Sequence, residues 1–349
     1  EMLLKKVQTN FLKKTEYFFI TSYSCLPTVL NQLLHLEIEC KKAILFCFQS
    51  QLYKFLKKLS EDHNWITTVI IDVKQFYKLS LLKPWRLIGK RNQLNKIYNE
   101  WFRNIPDGSH VYFYNRHFAL PVFNMIWRLR TNCKIFYTEC DPLDLYSQDN
   151  SFYSIIKHIS YYNIYRMPFN FVSAKNSAHN PFPALSETFF TKIRYIEHPR
   201  QINIEDIRES TLCKTLSIKN NSKVLWILGL ELDRDLVYEI EYESIIKDLK
   251  AIIEIYYPPS EQAIKFHPRS IKHEINLKNS VNQIPNWVPI EFIEFPNLEV
   301  ILTVSSTSLL SIPKGTKIIW LGELIPYKKQ NERIALRKDL LNYTNYEEC

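Results

Sequence analysis

Apolar residues along the chain fall into short dense runs, separated by longer stretches in which they recur every three or four positions. In the first half the dense runs are Glu16–Thr21 (EYFFIT), Ala43–Phe48 (AILFCF), Thr67–Val73 (TTVIIDV), His110–Tyr114 (HVYFY) and Lys134–Thr138 (KIFYT). They are rich in β-branched and aromatic residues and bounded by polar ones, which predicts buried strands. Between them Pro27–His35, Ser50–Leu59, Asn92–Ile105 and Leu120–Leu129 carry helical spacing. Strand and helix in alternation predict parallel strands with helices on both faces of the sheet.

The rhythm breaks over residues 165–220, where Pro, Asn and Ser accumulate without a clear period. This stretch reads as a long connection holding the domain boundary. A second series follows: strands at Lys223–Leu228 (KVLWIL), Ala263–Phe266 (AIKF), Leu298–Val304 (LEVILTV) and Lys317–Leu321 (KIIWL), with a long helix at Tyr242–Tyr257 stopped by Pro258 and Pro259. The charged tail from Lys328 reads as a final helix. The expected division is residues 1–200, 201–327 and a C-terminal helix over 328–349 that packs back on the first domain. Two α/β domains of this kind suggest the GT-B arrangement, two Rossmann-like domains facing a deep cleft with the ligand at the C-terminal ends of both sheets. A single doubly wound domain with insertions reads similarly.

Composition narrows the chemistry. At 349 residues the chain is long enough for two cores, and 46% apolar with 23% charged residues is ordinary for a globular protein. Seven Cys without a CxxC pair argue against a disulfide scaffold and a zinc ribbon. With five Gly and neither GxGxxG nor GxxxxGK[ST], a dinucleotide Rossmann enzyme and a P-loop NTPase are both disfavoured. No apolar stretch of about 18 residues is present to span a membrane. No signal-peptide core precedes Lys13 and Lys14, so a reduced, cytoplasmic location is expected. The excess of 45 basic over 36 acidic residues, +9, favours anionic partners without choosing among nucleic acid, acidic lipid and acidic glycan.

Three places carry residues suited to chemistry. Lys265-Phe266-His267-Pro268-Arg269 stands where a second-domain strand should end, the edge at which open α/β sheets bind ligands. His267 can bond and protonate a phosphate there, Pro268 fixes the turn, and Lys265 and Arg269 add charge for an anion. A plain strand end with an exposed His is the simpler alternative. His198-Pro199-Arg200 repeats the tripeptide, but follows no evident strand–helix unit. Val304-Ser305-Ser306-Thr307-Ser308 follows the strand LEVILTV, where hydroxyls and free backbone N–H groups of a helix start can hold a phosphate. A simple N-cap needs only one such hydroxyl. Thr138-Glu139-Cys140-Asp141 closes a first-domain strand. An acid there can act as general base, while Asp141 before Pro142 can equally start a turn, and with Asp144 the acids can bind Mg²⁺.

In this order the three sites resemble the bacterial GT-B sialyltransferases of the lipooligosaccharide and polysialyltransferase type. That family carries an acidic D/E-D/E-G motif in the first domain, then an HP motif and a double-Ser motif in the second. KFHPR matches the HP motif and Ser305–Ser311 (SSTSLLS) the double Ser, while Ile227–Asp235 (ILGLELDRD) is similar to the nucleotide-side loop. Ile284–Glu291 (IPNWVPIE) is similar to the segment whose acid meets the nucleotide. The order spans roughly residues 16–325. The departure is YTECDP, where Cys140 and Asp141 stand in place of the second acid and the glycine, so that Asp141 competes with Glu139 as base.

The resemblance implies an acceptor-side first domain and a CMP-binding second domain. His267 would stabilise or protonate the departing CMP, Ser305 and Ser306 would bond its phosphate, Gly229 would admit backbone to the nucleotide, and Glu291 would meet ribose or base. Glu139 would deprotonate the acceptor hydroxyl, with inversion at the anomeric carbon. It implies no cofactor and no metal, a CMP-sialic acid donor, and an acidic or galactose-terminated glycan acceptor. Another activated sugar, such as CMP-Kdo or a UDP-hexose, fits the phosphate motifs as well. Lys5, Lys6, Lys13, Lys14, Lys54, Lys57 and Lys58 can meet an anionic inner-membrane surface, or can simply be solvated. Nucleic acid is not an expected partner, because the aromatics lie mostly inside strands and helices, where they read as core.

Overall fold

A computed structural model of the chain describes residues 15–39, 41–73, 84–114, 120–129, 131–138, 193–195, 204–228, 236–268, 270, 281–304 and 315–328. The chain divides into two compact units, Glu1–Asn203 and Ile204–Cys349. Each is a Rossmann-like α/β unit around a parallel sheet, in agreement with the fold class expected from the sequence.

In the first unit the chain runs β1 (Thr15–Ile20), α1 (Leu26–Ile38), β2 (Lys42–Cys47), α2 (Ser50–Asp62), β3 (Ile66–Ile70), α3 (Pro84–Trp101), β4 (His110–Tyr114), α4 (Leu120–Leu129), β5 (Lys134–Thr138) and β6 (Ile193–Tyr195). The sheet order is β3-β2-β1-β4-β5-β6, and every neighbouring pair is parallel. Side chains alternate between faces along a strand. Tyr17, Phe19, Phe46, Val111, Phe113 and Ile135 therefore share one face, where they cluster with Leu94 and Phe102 from the α3 region and Met125, Ile126 and Leu129 of α4. Phe18, Ile20, Leu45 and Cys47 take the other face and are also buried. The helices α1 and α2 stay outside the first cluster and serve this second face, with Leu52, Phe55, Leu56 and Leu59 of α2 buried at helical spacing. Lys54, Lys57 and Lys58 are exposed on the opposite side of α2.

The second unit contains α5 (Ile204–Glu209), β7 (Ile218–Lys219), β8 (Val224–Leu228), α6 (Glu239–Tyr256), β9 (Gln262–Phe266), β10 (Asn282–Ile284), β11 (Ile293–Glu294), β12 (Val300–Thr303) and β13 (Lys317–Trp320). Its main sheet has the order β10-β9-β8-β12-β13, all parallel, while β7 and β11 form a separate two-stranded ladder. Val224, Trp226, Leu228, Ile264, Phe266, Val300, Leu302 and Val304 form one face and pack with Tyr242 and Ile246 of α6. The buried Trp226 indole donates to Gln262 Oε1 (2.9 Å), and Gln262 Nε2 donates to the Tyr257 carbonyl (2.7 Å), so neither polar group is left unpaired in the core.

Four differences from the sequence reading have physical causes. The helix expected at Asn92–Ile105 begins at Pro84, a residue suited to a first helical turn, and ends at Trp101. Phe102 and Ile105 keep the apolar spacing because they are buried in turns, closed by Phe102 and Arg103 N–H on the Tyr98 carbonyl and by Ile105 N–H on the Phe102 carbonyl. The irregular stretch 165–220 holds β6, a three-residue edge strand pairing with β5, too short to show a period. His198-Pro199-Arg200, read as following no strand–helix unit, comes three residues after this short parallel strand, and the tripeptide itself lies outside the described residues. The short strand β10 escaped notice for the same reason as β6. The expected C-terminal helix lies beyond Lys328, outside the described residues. Among the described residues no helix is long and apolar enough to cross a membrane.

Phe19 is fully buried, its ring 5.1 to 5.9 Å from those of Phe46, Phe48 and Phe102. Phe19→Ala should destabilise the first unit by about 3–5 kcal/mol. Urea unfolding followed by hydrogen exchange should show β1, β2 and β4 opening earlier, with β8, β9 and β12 unchanged.

Candidate functional site

Topology selects one edge of the second sheet. Strand order reverses between β8 and β12, and ligands of open α/β sheets bind beyond the carboxyl ends of the strands at such a switch point. The chain leaving β8 at Leu228 continues in sequence into Gly229 and LELDRD. The chain leaving β12 at Thr303 runs through Val304 into Ser305 and Ser306, and β9, next to β8, ends at Phe266 and His267. Gly229, Arg269, Ser305 and Ser306 lie outside the described residues, as do Glu139 and Asp141, which follow the last residue of β5. The strand ends that launch these segments are described.

His267 is half-buried at the end of β9. Its N–H donates to the Leu228 carbonyl (2.9 Å), tying it to the end of β8, and its carbonyl accepts from Ser270 N–H (2.9 Å). The chain therefore turns between His267 and Ser270, with Pro268 at the second position, where its fixed φ favours a turn. Ser270 is buried, and its hydroxyl has no hydrogen-bond partner among the described residues.

Lys265 stands out on charge. It is 4% exposed, on the sheet face opposite the α6 core. Its Nζ donates to the Asn286 carbonyl (3.1 Å) and reaches the Phe266 carbonyl (3.4 Å). Burial pulls the ammonium from its ordinary 10.5 down to about 8, against the attraction of Glu291, which works the other way. The sequence reading had Lys265 add charge for an anion; in the fold its ammonium lies within reach of two backbone carbonyls. Glu291 lies on the 3-10 turn Ile290–Phe292, which follows the Pro285–Val288 turn (Val288 N–H to Pro285 carbonyl, 3.2 Å).

The register aligns one row across the sheet: Ile284 opposite Lys265, Lys265 opposite Ile227, Ile227 opposite Thr303, and Thr303 opposite Trp320. Residues in one row share a face. Thr303 is fully buried and its hydroxyl also lacks a partner among the described residues. Trp320 holds the next turn, since its indole N–H donates to the Val304 carbonyl (2.7 Å), immediately before the serine run. Gly322 makes this possible, because a Cβ at that position would run into the Trp320 indole. Thr303, Trp320, Gly322 and Ser270 were missed in the sequence. The cue for two of them was a Trp-x-Gly at the end of a strand in a chain with five glycines.

The other concentrations of charge and space are of a different kind. Glu16 is fully buried at the start of β1, with His110 Nδ1 3.0 Å and Lys41 Nζ 3.4 Å away, at the N-terminal end of the first sheet. An open depression of about 620 Å³ is lined by Asn92, Asn95, Lys96, Asn99 and Glu100, all on α3. Among the described residues no group of three or more His, Cys, Asp and Glu side chains is gathered as metal ligands would be.

No family model matches the chain, and no curated protein matches it. Solved structures do resemble it. A Listeria monocytogenes protein described as a UDP-N-acetylglucosamine 2-epimerase matches with 10% identity and a TM-score of 0.43, over 95% of this chain and 88% of that one. CalG4, the calicheamicin glycosyltransferase, matches with 11% identity and a TM-score of 0.38, over 95% and 94%. At these values the matches carry no argument about function, and the fold stands on its own strand order.

Two outcomes follow from this geometry. Lys265 is protonated in the unfolded chain up to pH 10.5 but in the folded chain only up to about 8. Between these values the unfolded state binds more protons, so this residue adds stability as pH rises, on the order of 3 kcal/mol in all. Denaturation of Lys265→Met across pH 7–10.5 should lack that rise. Gly322→Ala should push the Trp320 indole off the Val304 carbonyl, seen as a shift of tryptophan fluorescence and a lower urea midpoint, while far-UV circular dichroism stays unchanged.

Proposed function

We propose that the chain is an inverting, metal-independent sialyltransferase of GT-B type, moving sialic acid from CMP-sialic acid to a hydroxyl of a bacterial surface glycan. One observation carries the reading: β8, β9 and β12 are adjacent and parallel. The three segments similar to a CMP-binding set, at Gly229, His267 and Ser305-Ser306, therefore leave the same edge of one sheet at its switch point. The turn at Pro268, the tie from His267 to Leu228 and the hold of Trp320 on Val304 support it further.

In this reading His267 meets the donor phosphate, with Arg269, Ser305 and Ser306 around the same anion and Glu291 toward the ribose or base. Preorganised donors of this kind take over the work a metal ion does at a leaving phosphate in other transferases. Glu139, with Asp141 as its competitor, takes the proton of the acceptor hydroxyl. The hydroxyl oxygen bonds to the anomeric carbon from the side opposite CMP, the carbon–oxygen bond to CMP breaks, and His267 supplies a proton to the phosphate. The acceptor is an acidic or galactose-terminated glycan. The exposed Lys54, Lys57 and Lys58 of α2 suit contact with an anionic membrane surface carrying it, each worth about 1 kcal/mol there.

The test is release of CMP from CMP-sialic acid in excess EDTA, with and without a sialylated or galactose-terminated acceptor. Acceptor-dependent release is expected. His267→Ala should lower kcat/KM by about 10²–10⁴-fold. Glu139→Gln should abolish turnover while Asp141→Asn spares it, and the reverse would move the base to Asp141. Competition by UDP equal to that by CMP would replace the donor.

A further inference from the structure

The second unit holds a buried charge that lowers its own stability. A lysine 4% exposed, its ammonium drawn down to about 8 by desolvation, is disfavoured in the apo fold, where an apolar side chain of the same length would fill the space. Its surroundings explain what it does there. The chain leaves β10 at Ile284, directly opposite Lys265 in register, and turns at Pro285–Val288. The buried ammonium donates to the carbonyl of Asn286, inside that turn, and reaches back to Phe266, the last residue of β9. One side chain thus joins two segments: the end of β9, which continues into His267, and the turn, which continues into Glu291.

We infer that Lys265 is a positioning residue for an anionic nucleotide donor, its ammonium pinning the Pro285–Val288 turn to the end of β9 so that Glu291 and His267 are held at one edge, and its charge being matched when the donor phosphate arrives. The inference rests on the proposed donor site and extends it with pH control. Among the described residues, the neighbours of Lys265 in register and charge are these. Glu291 is the charged group acting on it, from the turn after β10. Ile227 of β8 and Ile284 of β10 flank it in the row, Thr303 of β12 lies one strand further, and His267 follows two positions along β9. The Lys265 ammonium, drawn down to about 8, changes charge between pH 7 and 9. An incoming phosphate favours the charged lysine, so binding takes up a proton in that window. With the free protein at about 8, affinity should fall about tenfold from pH 7 to pH 9.

The experiment compares wild type with Lys265→Met in two measurements. Hydrogen exchange at a single pH of 7 reads the turn. Residues 285–292 should exchange at least tenfold faster in the variant, while 224–228 stay protected; equal exchange in 285–292 overturns the positioning role. Calorimetric titration with CMP, in two buffers of different ionisation enthalpy, reads the charge. Wild type should lose affinity about tenfold from pH 7 to pH 9 and take up close to one proton at pH 9, and the variant should do neither. The same loss and uptake in the variant overturns the matching of charge. If wild type binds no CMP at any pH while the variant's turn still exchanges faster, the positioning role stands and the CMP donor is wrong.

Discussion

Every pairing recorded in the two large sheets is parallel. Parallel strands cannot be joined by tight hairpins, so each connection crosses a face and returns the chain to the same end. In consequence all strands of a sheet finish at one edge, and each loop leaving that edge begins beside the loop of its neighbour. Segments far apart in sequence, such as those at Leu228, Phe266 and Thr303, are brought together by this alone. The helices that make the crossings must bury their apolar stripes, which is why both faces of the first sheet carry buried aromatic and aliphatic residues.

The same constraint made most of the fold legible. Strands buried on both faces write themselves as unbroken apolar runs, and HVYFY and KIFYT match β4 and β5 to the residue. What was lost is what the constraint does not reach. β6 and β10 have three residues each, at the edges of their sheets, and β7 and β11 only two. An edge strand pairs on one side and needs no long apolar run, so neither length nor composition betrays it. The end of α3 was overrun because Phe102 and Ile105 pack into the core from turns, and burial imprints the same spacing whether or not the backbone is helical.

The candidate site divides along another line. The residue types that could touch a phosphate were legible because chemistry dictates them: a His before Pro, and hydroxyls in series at a strand end. Their supports were not. Trp320 secures Val304 across a strand pairing, and Gly322 matters only because an indole lies against it. Lys265 was visible as a charge, but its meaning depends on burial and on a carbonyl 21 positions away. A sequence shows which groups are present; whether a cation faces solvent, ligand or backbone is decided by register.

Taken together, the second unit is a parallel sheet whose switch-point edge launches the segments proposed to meet an anionic nucleotide, with a turn at Pro268, a tie to Leu228 and a buried lysine among the described residues there. The most direct measurement is a hydrogen-exchange footprint of CMP on the intact wild-type protein. Protection confined to residues 227–235, 265–270, 284–292 and 303–309, with none at 198–200, is the expected result. Protection centred on the first unit, or none at CMP concentrations in the millimolar range, would contradict the assignment of that edge.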